Sequence, residues 1–466
     1  MLLHSSRSVI RVLMAGFTLA IAAPTASAQH FPSDEEIRSI IQSRVDEDRA
    51  VGIVVGVMEA NGDTRVVTAG DAGPGARPLS ANSVFEIGSI TKVFTGILLA
   101  DMASRGLLGL EDPVQTLLPD GVTVPTRDGD VITLTDLSTH HSALPRLPDN
   151  LIPSDPTNPY ADYTVEQLYE FISRYELPRD IGAQFEYSNL AVGLLGHVLA
   201  EANDSDYEAL VRERILDPLG MVMSGIALSD DMEEWLAVGH DEAGNPTSNW
   251  DIPTLAGAGA LRSNMTDMLR FLDANMGPVG NDLEQAMRTS HAQREALPNG
   301  GGVGLNWVIR TEGDDTIVWH NGGTGGYRTF MGFDPELGVG AVVLTNSSHG
   351  ADDIGFHLIN RDVALAPAPE PAPERVEVDV DAATLERYVG AYDLTSTFSI
   401  EVTVEDGQLF IQATGQPRFP AFPESETEFF LRVVDAQITF DVGDDGVATG
   451  LVLHQGGASQ PARKVR

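Results

Sequence analysis

The chain has 466 residues, too many for a single compact core, so two or three domains are expected. Its 68 acidic and 29 basic residues leave a formal net charge of −39, which argues against nucleic acid and anionic membrane as partners. Cysteine is absent, excluding disulfides and any lipid attached through a terminal thiol.

Read from the N-terminus, Arg7 and Arg11 precede an apolar run over residues 12–23, and Ala26-Ser27-Ala28 supplies the small residues of a signal-peptidase site. The run is too short to span a bilayer. Residues 1–28 are therefore expected to be a signal peptide, an uncut anchor being the alternative. The mature protein would start at Gln29, periplasmic or secreted, with no membrane insertion after cleavage.

Ser33 and Glu36 have capping-box spacing ahead of Ile37, Ile40, Ile41 and Val45, an amphipathic helix. Residues 51–58 and 65–69 read as a hairpin turning at Asn61-Gly62-Asp63. Residues 85–88 lead into an apolar helix from Ser89 to about Arg105, closed by Gly106. From about 111 to 286, helical patterns alternate with Pro- and Gly-rich loops. Strand-like runs follow at 316–319, 329–333 and 339–346, the last two joined by a turn at 334–338, and a helix spans about 352–363. Such an order suggests a sheet completed by both chain ends, with a helical insert between them.

Residues 364–374 read Ala-Leu-Ala-Pro-Ala-Pro-Glu-Pro-Ala-Pro-Glu, an extended semi-rigid linker. Beyond it, 398–404 and 409–412 alternate around Glu405-Asp406-Gly407. The runs 429–434, 436–440 and 451–454 continue the series, with Asp444-Asp445-Gly446 as another turn. The expected division is a main domain over 29–363, a linker over 364–376 and a small all-β barrel or curved sheet over 377–466.

Three short stretches carry chemistry. Ser89-Ile90-Thr91-Lys92 puts a hydroxyl at a helix start and an amine one turn on, on the same face. Only two lysines exist in the chain, Lys92 and Lys464. Lysine can serve as a base once its pKa is lowered, which arginine cannot. A serine with a nearby base suits covalent acyl transfer, and the Ser89 N–H could donate to an oxyanion. Read alone, Ser89 is equally a simple N-cap.

Tyr187-Ser188-Asn189 precedes an apolar helix. The phenol could be a half-buried packing group, or, with its pKa lowered beside an ammonium, a proton carrier for a serine. Asn189 could hold a substrate amide. His320-Asn321-Gly322-Gly323-Thr324-Gly325-Gly326-Tyr327 follows the run ending at Trp319. It reads either as a glycine-rich hairpin with an incidental histidine or as a bare strand edge along which a ligand lies.

Together, in this order, the three stretches resemble the Ser-x-x-Lys, Tyr-x-Asn, Lys/His-x-Gly signature of the serine β-lactamase and penicillin-binding-protein superfamily. Residues 85–92, 137–145 and 257–263 resemble its class C β-lactamase-related branch, and the resemblance covers about 34–362. The tail, opening with Tyr388-Val389-Gly390-Ala391-Tyr392, is similar to lipocalin-like barrels that follow the hydrolase domain in some relatives. The resemblance implies a mixed α/β fold, an antiparallel sheet flanked by helices with a mainly helical subdomain. It also implies that Ser89 forms an acyl-enzyme while Lys92 and Tyr187 move protons, with either as the base. The Ser89 and Gly323 amides would hold the oxyanion, Asn189 would orient substrate, and His320 and Gly322 would line the binding edge. No cofactor is implied.

One position departs from class C β-lactamases, which carry lysine where His320 stands. Histidine is largely neutral near pH 7 unless a neighbour raises its pKa, so the anchor for a β-lactam carboxylate is expected to be weaker or pH-dependent. Histidine there is more like D-peptidases, D-aminopeptidases and some esterases of this fold. Peptidase, amidase or esterase activity is therefore expected ahead of β-lactamase activity, and a non-catalytic binding protein is the third reading. The expected partner is a small-molecule or peptide substrate; self-association is left open. His140-His141 invites a metal reading, but adjacent histidines diverge and no carboxylate or cysteine companion is evident, so no metal is expected.

Overall fold

A computed structural model describes residues 29–298, 300–313, 315–368, 375–394, 398–405, 407–414, 418–432, 436–443, 446–455 and 458–465. The expected signal peptide, linker residues 369–374 and the turn residues Asp406, Asp444 and Asp445 lie outside them. Contacts divide the chain into two units between Pro367 and Ala368. No helix among the described residues is long and apolar enough to cross a membrane.

In the first unit the two chain ends meet in one sheet. Gly52–Met58 pairs with Thr64–Gly70 on one side and with Val339–Thr345 on the other. The order continues through Arg328–Asp334, Asp315–Gly323, Val308–Glu312, Gly302–Val303 and Glu295–Ala296, antiparallel throughout. Gly52–Met58 and Val339–Thr345 are buried along their whole length, because the sheet is covered on both faces. Strand alternation sorts their side chains: Val54 enters one core, while Ile53, Val55 and Val57 enter the other.

The second of these cores is closed by the terminal helices Asp34–Asp46 and Asp352–Ile359, through Ile37, Ile41, Ile354 and Leu358. An ion pair between buried Arg44 and Asp353 ties the two helices together. The first core takes helices Thr91–Ser104, Met265–Met276 and Asp282–His291, with Phe94 stacked on Phe271 at 4.0 Å. Ser33 accepts from the Glu36 N–H at 3.2 Å, one of the two bonds of the expected capping box.

Two expectations change. The run read as ending at Trp319 continues to Gly323, so His320, Gly322 and Gly323 stand inside a strand rather than after it. Glycines weaken a strand by propensity, yet here pairing with Arg328–Asp334 holds them. Strands Glu295–Ala296 and Gly302–Val303 carry no sequence signal, since two residues cannot display alternation, and the five-residue strand Val308–Glu312 was not read either.

The second unit is a closed eight-stranded barrel with strands in chain order, from Gly390–Asp393 to Ala458–Lys464. The first and last strands pair at Tyr392 and Lys464, leaving no open edge. Its core centres on Tyr388, Tyr392, Phe429 and Phe440. Arg418–Pro423 and Ala458–Lys464 were not expected as strands, because Pro420 and Pro461 cannot donate to a ladder.

Candidate active site

The site starts from a close approach of backbones. After strand Val84–Glu86 the chain makes one 3-10 turn, Gly88–Ile90, before helix Thr91–Ser104. Ser89 therefore sits in the lead-in turn, and Ile90, not Ser89, occupies the cap position. Gly88 has φ +51°, and a Cβ there would lie 2.6 Å from the Gly323 nitrogen. A Cβ at Gly322 would lie 1.9 Å from the Ile87 carbonyl oxygen. Any side chain at either position would force apart the serine turn and the sheet edge. Ser89 thus stands beside the exposed backbone of Gly323.

Lys92 lies one turn along, fully buried, with Nζ 3.0 Å from Ser89 Oγ and 2.6 Å from the Ala258 carbonyl, to which it donates. Burial pushes its pKa well below the ordinary range, and the nearby Arg146 guanidinium adds to the fall. The amine at position 92 is held towards its neutral form, in which its lone pair can take a proton.

Tyr187 reaches the serine from the other side. Ser188 caps helix Asn189–Glu201 by accepting from the Ala191 N–H at 2.9 Å. This loop is tied to the segment after helix Leu134–Ser138: the Ser188 N–H donates to His140 Nδ1 at 3.1 Å, and the Asn189 N–H to the Arg146 carbonyl at 3.0 Å. His140 and Ala143 adopt left-handed backbone, φ 63° and 60°, bending that segment around the tyrosine. The His140 ring lies 4.5 Å from the Tyr187 ring, the Arg146 guanidinium 5.2 Å and Lys92 Nζ 5.0 Å. Hydrogen bonding towards Ser89 draws the phenol's pKa down, but burial outweighs it and pushes the pKa up to about 12. The expectation of a lowered tyrosine pKa is overturned: desolvation outweighs the hydrogen bond and Arg146, and Tyr187 remains a proton donor at neutral pH.

His320 is 2% exposed, its ring 6.2 Å from that of Tyr187. A carbonyl can only accept, so the 2.6 Å contact with the Asn321 oxygen places the ring proton on Nδ1. Nε2 is then a lone-pair acceptor, buried without a partner. Burial, with Lys92 second, holds the imidazole near a pKa of about 3. His320 is therefore neutral throughout the physiological range, and of the two expectations, a weaker anchor or a pH-dependent one, burial favours the weaker, uncharged one. Asn189 donates from Nδ2 to the Tyr160 hydroxyl at 3.2 Å and leaves Oδ1 buried and unpartnered.

Two hollows flank Ser89. One, about 20 Å³, is bounded by Tyr160, Asn189, Trp250, Ile252, Ala258 and Gly259. The other, about 470 Å³, is bounded by Arg146, Tyr187, Trp250, Thr324 and Arg328. All seven site residues read from the sequence, Ser89, Lys92, Tyr187, Asn189, His320, Gly322 and Gly323, are gathered here. Arg146, Tyr160, Trp250, the Ala258 carbonyl and Arg328 had not been singled out, and His140 had been weighed only as a metal ligand. His140 and Ala258 lie within stretches already noted for their wording, while Arg146 and Arg328 directly follow the segments that resemblance had marked. Among the described residues no cluster of three or more His, Cys, Asp or Glu could hold a metal.

A family profile described as Beta-lactamase matches residues 37–365, and a domain of unknown function, DUF3471, matches 374–465. The D-alanyl-D-alanine-carboxypeptidase/endopeptidase AmpH of Escherichia coli K12 is 32% identical, covering 68% of this chain and 88% of its own length. Penicillin-binding protein 4* of Bacillus subtilis is 27% identical over 84% of this chain and 89% of its own length. A class C β-lactamase structure from Rhodobacter sphaeroides shares the fold with a TM-score of 0.61, at 23% identity over 70% of this chain and 97% of that one. The chain belongs to the β-lactamase family of serine hydrolases.

Proposed function

We propose that the protein cleaves amide or ester bonds of D-amino-acid peptides or small esters through an acyl-enzyme on Ser89. The observation that carries this reading is the buried, charge-depleted Lys92 at 3.0 Å from Ser89 Oγ. The neutral amine takes the hydroxyl proton as Oγ attacks the carbonyl carbon. The Ser89 and Gly323 amides hold the oxyanion. As that intermediate collapses, Tyr187 gives its proton to the departing nitrogen or oxygen, and the tyrosinate regains one from the Lys92 ammonium. Water then attacks the ester, losing its proton to the same pair, and Ser89 Oγ is reprotonated as it leaves. The relative AmpH, whose name gives a carboxypeptidase and endopeptidase, supports a peptide substrate.

β-Lactam hydrolysis is the second reading, favoured by relatives named β-lactamases, such as that of Pseudomonas fluorescens at 26% identity. Neutral His320 weighs against it, since it brings no charge to a β-lactam carboxylate. A panel of D-peptides, short-chain esters and a chromogenic cephalosporin separates the two. Turnover of esters or D-peptides well above the cephalosporin is expected, with a gain for the cephalosporin in His320→Lys. A cephalosporin preference in the wild type would reverse the ranking. The same reading has the protein exported and cut before Gln29, which N-terminal sequencing of the mature form checks.

A further inference from the structure

The carbonyl that receives an N–H from Lys92 belongs to Ala258, in the short turn Ala256–Ala258 that precedes strand Arg262–Asn264. Two threonines of the lysine's own helix grip this segment on either side. Thr91 Oγ1 accepts from the Leu261 N–H at 3.1 Å, and Thr95 Oγ1 donates to the Gly257 carbonyl at 2.7 Å. Helical spacing puts 91 and 95 one turn apart on one face, with Lys92 beside them. Close contact leaves the segment no slack: a Cβ at Gly257 would lie 2.8 Å from the Gly196 Cα and 3.0 Å from Thr95 Oγ1. Gly196 stands on helix Asn189–Glu201, into which Tyr187 leads.

Thr95 is itself gripped. The Tyr207 hydroxyl lies 2.7 Å from Thr95 Oγ1, and both residues are buried. Tyr207 opens helix Tyr207–Val211, which Asp206 caps by accepting from the Ala209 N–H at 2.8 Å. The direction of the chain follows from counting protons. A threonine hydroxyl has one and a carbonyl can only accept, so the Thr95 proton goes to Gly257 at 2.7 Å rather than to the Thr91 carbonyl at 3.4 Å. Tyr207 must then donate to Thr95, and burial, which raises the phenol's pKa, keeps that proton in place. Donors in series polarise one another, so the bond to Gly257 is stronger for having the phenol behind it. Neither Thr95 nor Tyr207 lines the hollows beside Ser89.

We propose that Tyr207 and Thr95 are positioning residues for the base: the hydrogen-bond chain from the Tyr207 hydroxyl through Thr95 to the Gly257 carbonyl fixes the adjoining Ala258 carbonyl, which aims the Lys92 amine at Ser89. An amine that gives one N–H to a fixed carbonyl cannot turn freely, so its lone pair stays available to the serine proton. The proposal rests on Lys92 as the base and adds what holds it in register. The same carbonyl also favours the ammonium, since a charged donor bonds it more strongly, and so offsets part of what burial does to Lys92.

The test is the pH profile of kcat/KM for p-nitrophenyl acetate in the full-length protein, with single-turnover acylation of Ser89 measured alongside. Thr95→Val keeps the shape and breaks the chain; it should lower kcat/KM and the acylation rate by about tenfold. Tyr207→Phe should lower them by about threefold, and Thr95→Ser should keep most of the wild-type rate. A looser Ala258 carbonyl makes Lys92 harder to protonate, so the acid limb should move to lower pH in both damaged variants. Without the Thr95 hydroxyl the phenol has nothing to act through, so the double variant Tyr207→Phe/Thr95→Val should be no slower than Thr95→Val. Leu210→Ala, which hollows the core on the helix that Tyr207 opens, should lower Tm and leave the limb in place. A folded Thr95→Val with wild-type rate and limb overturns the proposal, as does a double variant whose losses multiply. Should Thr95→Val fail to fold, wild-type rate and limb in Tyr207→Phe overturn it instead. Unimpaired acylation in Lys92→Met sinks the base assignment, and the purpose of the chain with it.

Discussion

The barrel interior and the hydrolase pocket bury polar groups in opposite ways. In the barrel, the Tyr392 hydroxyl donates to the Tyr388 carbonyl at 2.6 Å and the Tyr388 hydroxyl to the Glu426 carbonyl at 2.8 Å, while Tyr388 stacks on Phe440 at 4.4 Å. Around Ser89, by contrast, His320 Nε2 and Asn189 Oδ1 are buried without partners, and Lys92 is stripped of water beside the nucleophile. A buried polar atom left unpaired costs on the order of 1–3 kcal/mol. The two barrel tyrosines avoid that cost; the pocket accepts it, which keeps an amine neutral and leaves acceptors open to a ligand. Unpaired polar atoms occur elsewhere too, Trp319 Nε1 and Thr345 Oγ1 among them, but around Ser89 they surround a desolvated amine and a nucleophile.

Lys92→Met breaks that contrast most sharply. It should lower kcat/KM for any turned-over ester by about 10⁴-fold, since the base is gone. Stability should rise instead, by about 1–2 kcal/mol, because a desolvated amine is replaced by an apolar chain of similar volume. The sign of the pH dependence follows. Folding holds Lys92 below its ordinary 10.5, so between the depressed value and 10.5 the unfolded chain binds more protons, and wild-type stability rises with pH across that window. The variant should lose that slope. Thermal and denaturant unfolding at several pH values check both; a variant less stable than wild type at pH 7 would contradict the cost assigned to Lys92.

Phe440→Ala tests the other side. Its ring packs against Tyr388, Tyr392 and Phe429, and truncation should cost the barrel about 3–5 kcal/mol, read by denaturant unfolding of the full chain. A loss below about 1 kcal/mol would mean that the barrel interior is looser than its stacking implies.

Arg146→Gln should have the smallest effect, a displacement of the pH profile. Removing that positive charge makes Lys92 easier to protonate, so the acid limb of kcat/KM should move to higher pH. The guanidinium is exposed and screened, so the displacement should stay below about one pH unit. Movement to lower pH would mean that Arg146 does not act on Lys92 through its charge.

How far the site could be read from sequence follows from the range of each interaction. Ser89 and Lys92 are neighbours through one helical turn, a spacing the chain itself displays, and near-absence of other lysines drew attention to position 92. Tyr187 and His320 were legible through their company of glycines and small polar residues. Their protonation was legible only in part, because burial sets it: the tyrosine expected to fall rises to about 12, while the histidine expected to be largely neutral is held so by burial. Arg146 and Arg328 were illegible for a related reason. Nothing local tells an arginine beside the nucleophile from one elsewhere on the surface, and 146 and 328, far apart in sequence, meet only at one hollow. In the barrel, alternation revealed most strands, and proline hid the two it occupies.

The most direct measurement is the site of covalent attachment during turnover of an activated acetate ester such as p-nitrophenyl acetate. Rapid-quench intact mass spectrometry followed by peptide mapping should find one acetyl group on the peptide bearing Ser89. It should accumulate in the wild type, build up far more slowly in Lys92→Met, and be absent from Ser89→Ala. Turnover with no adduct, or an acetyl group placed elsewhere while Ser89→Ala still hydrolyses the ester, would contradict the assignment of Ser89 as the nucleophile.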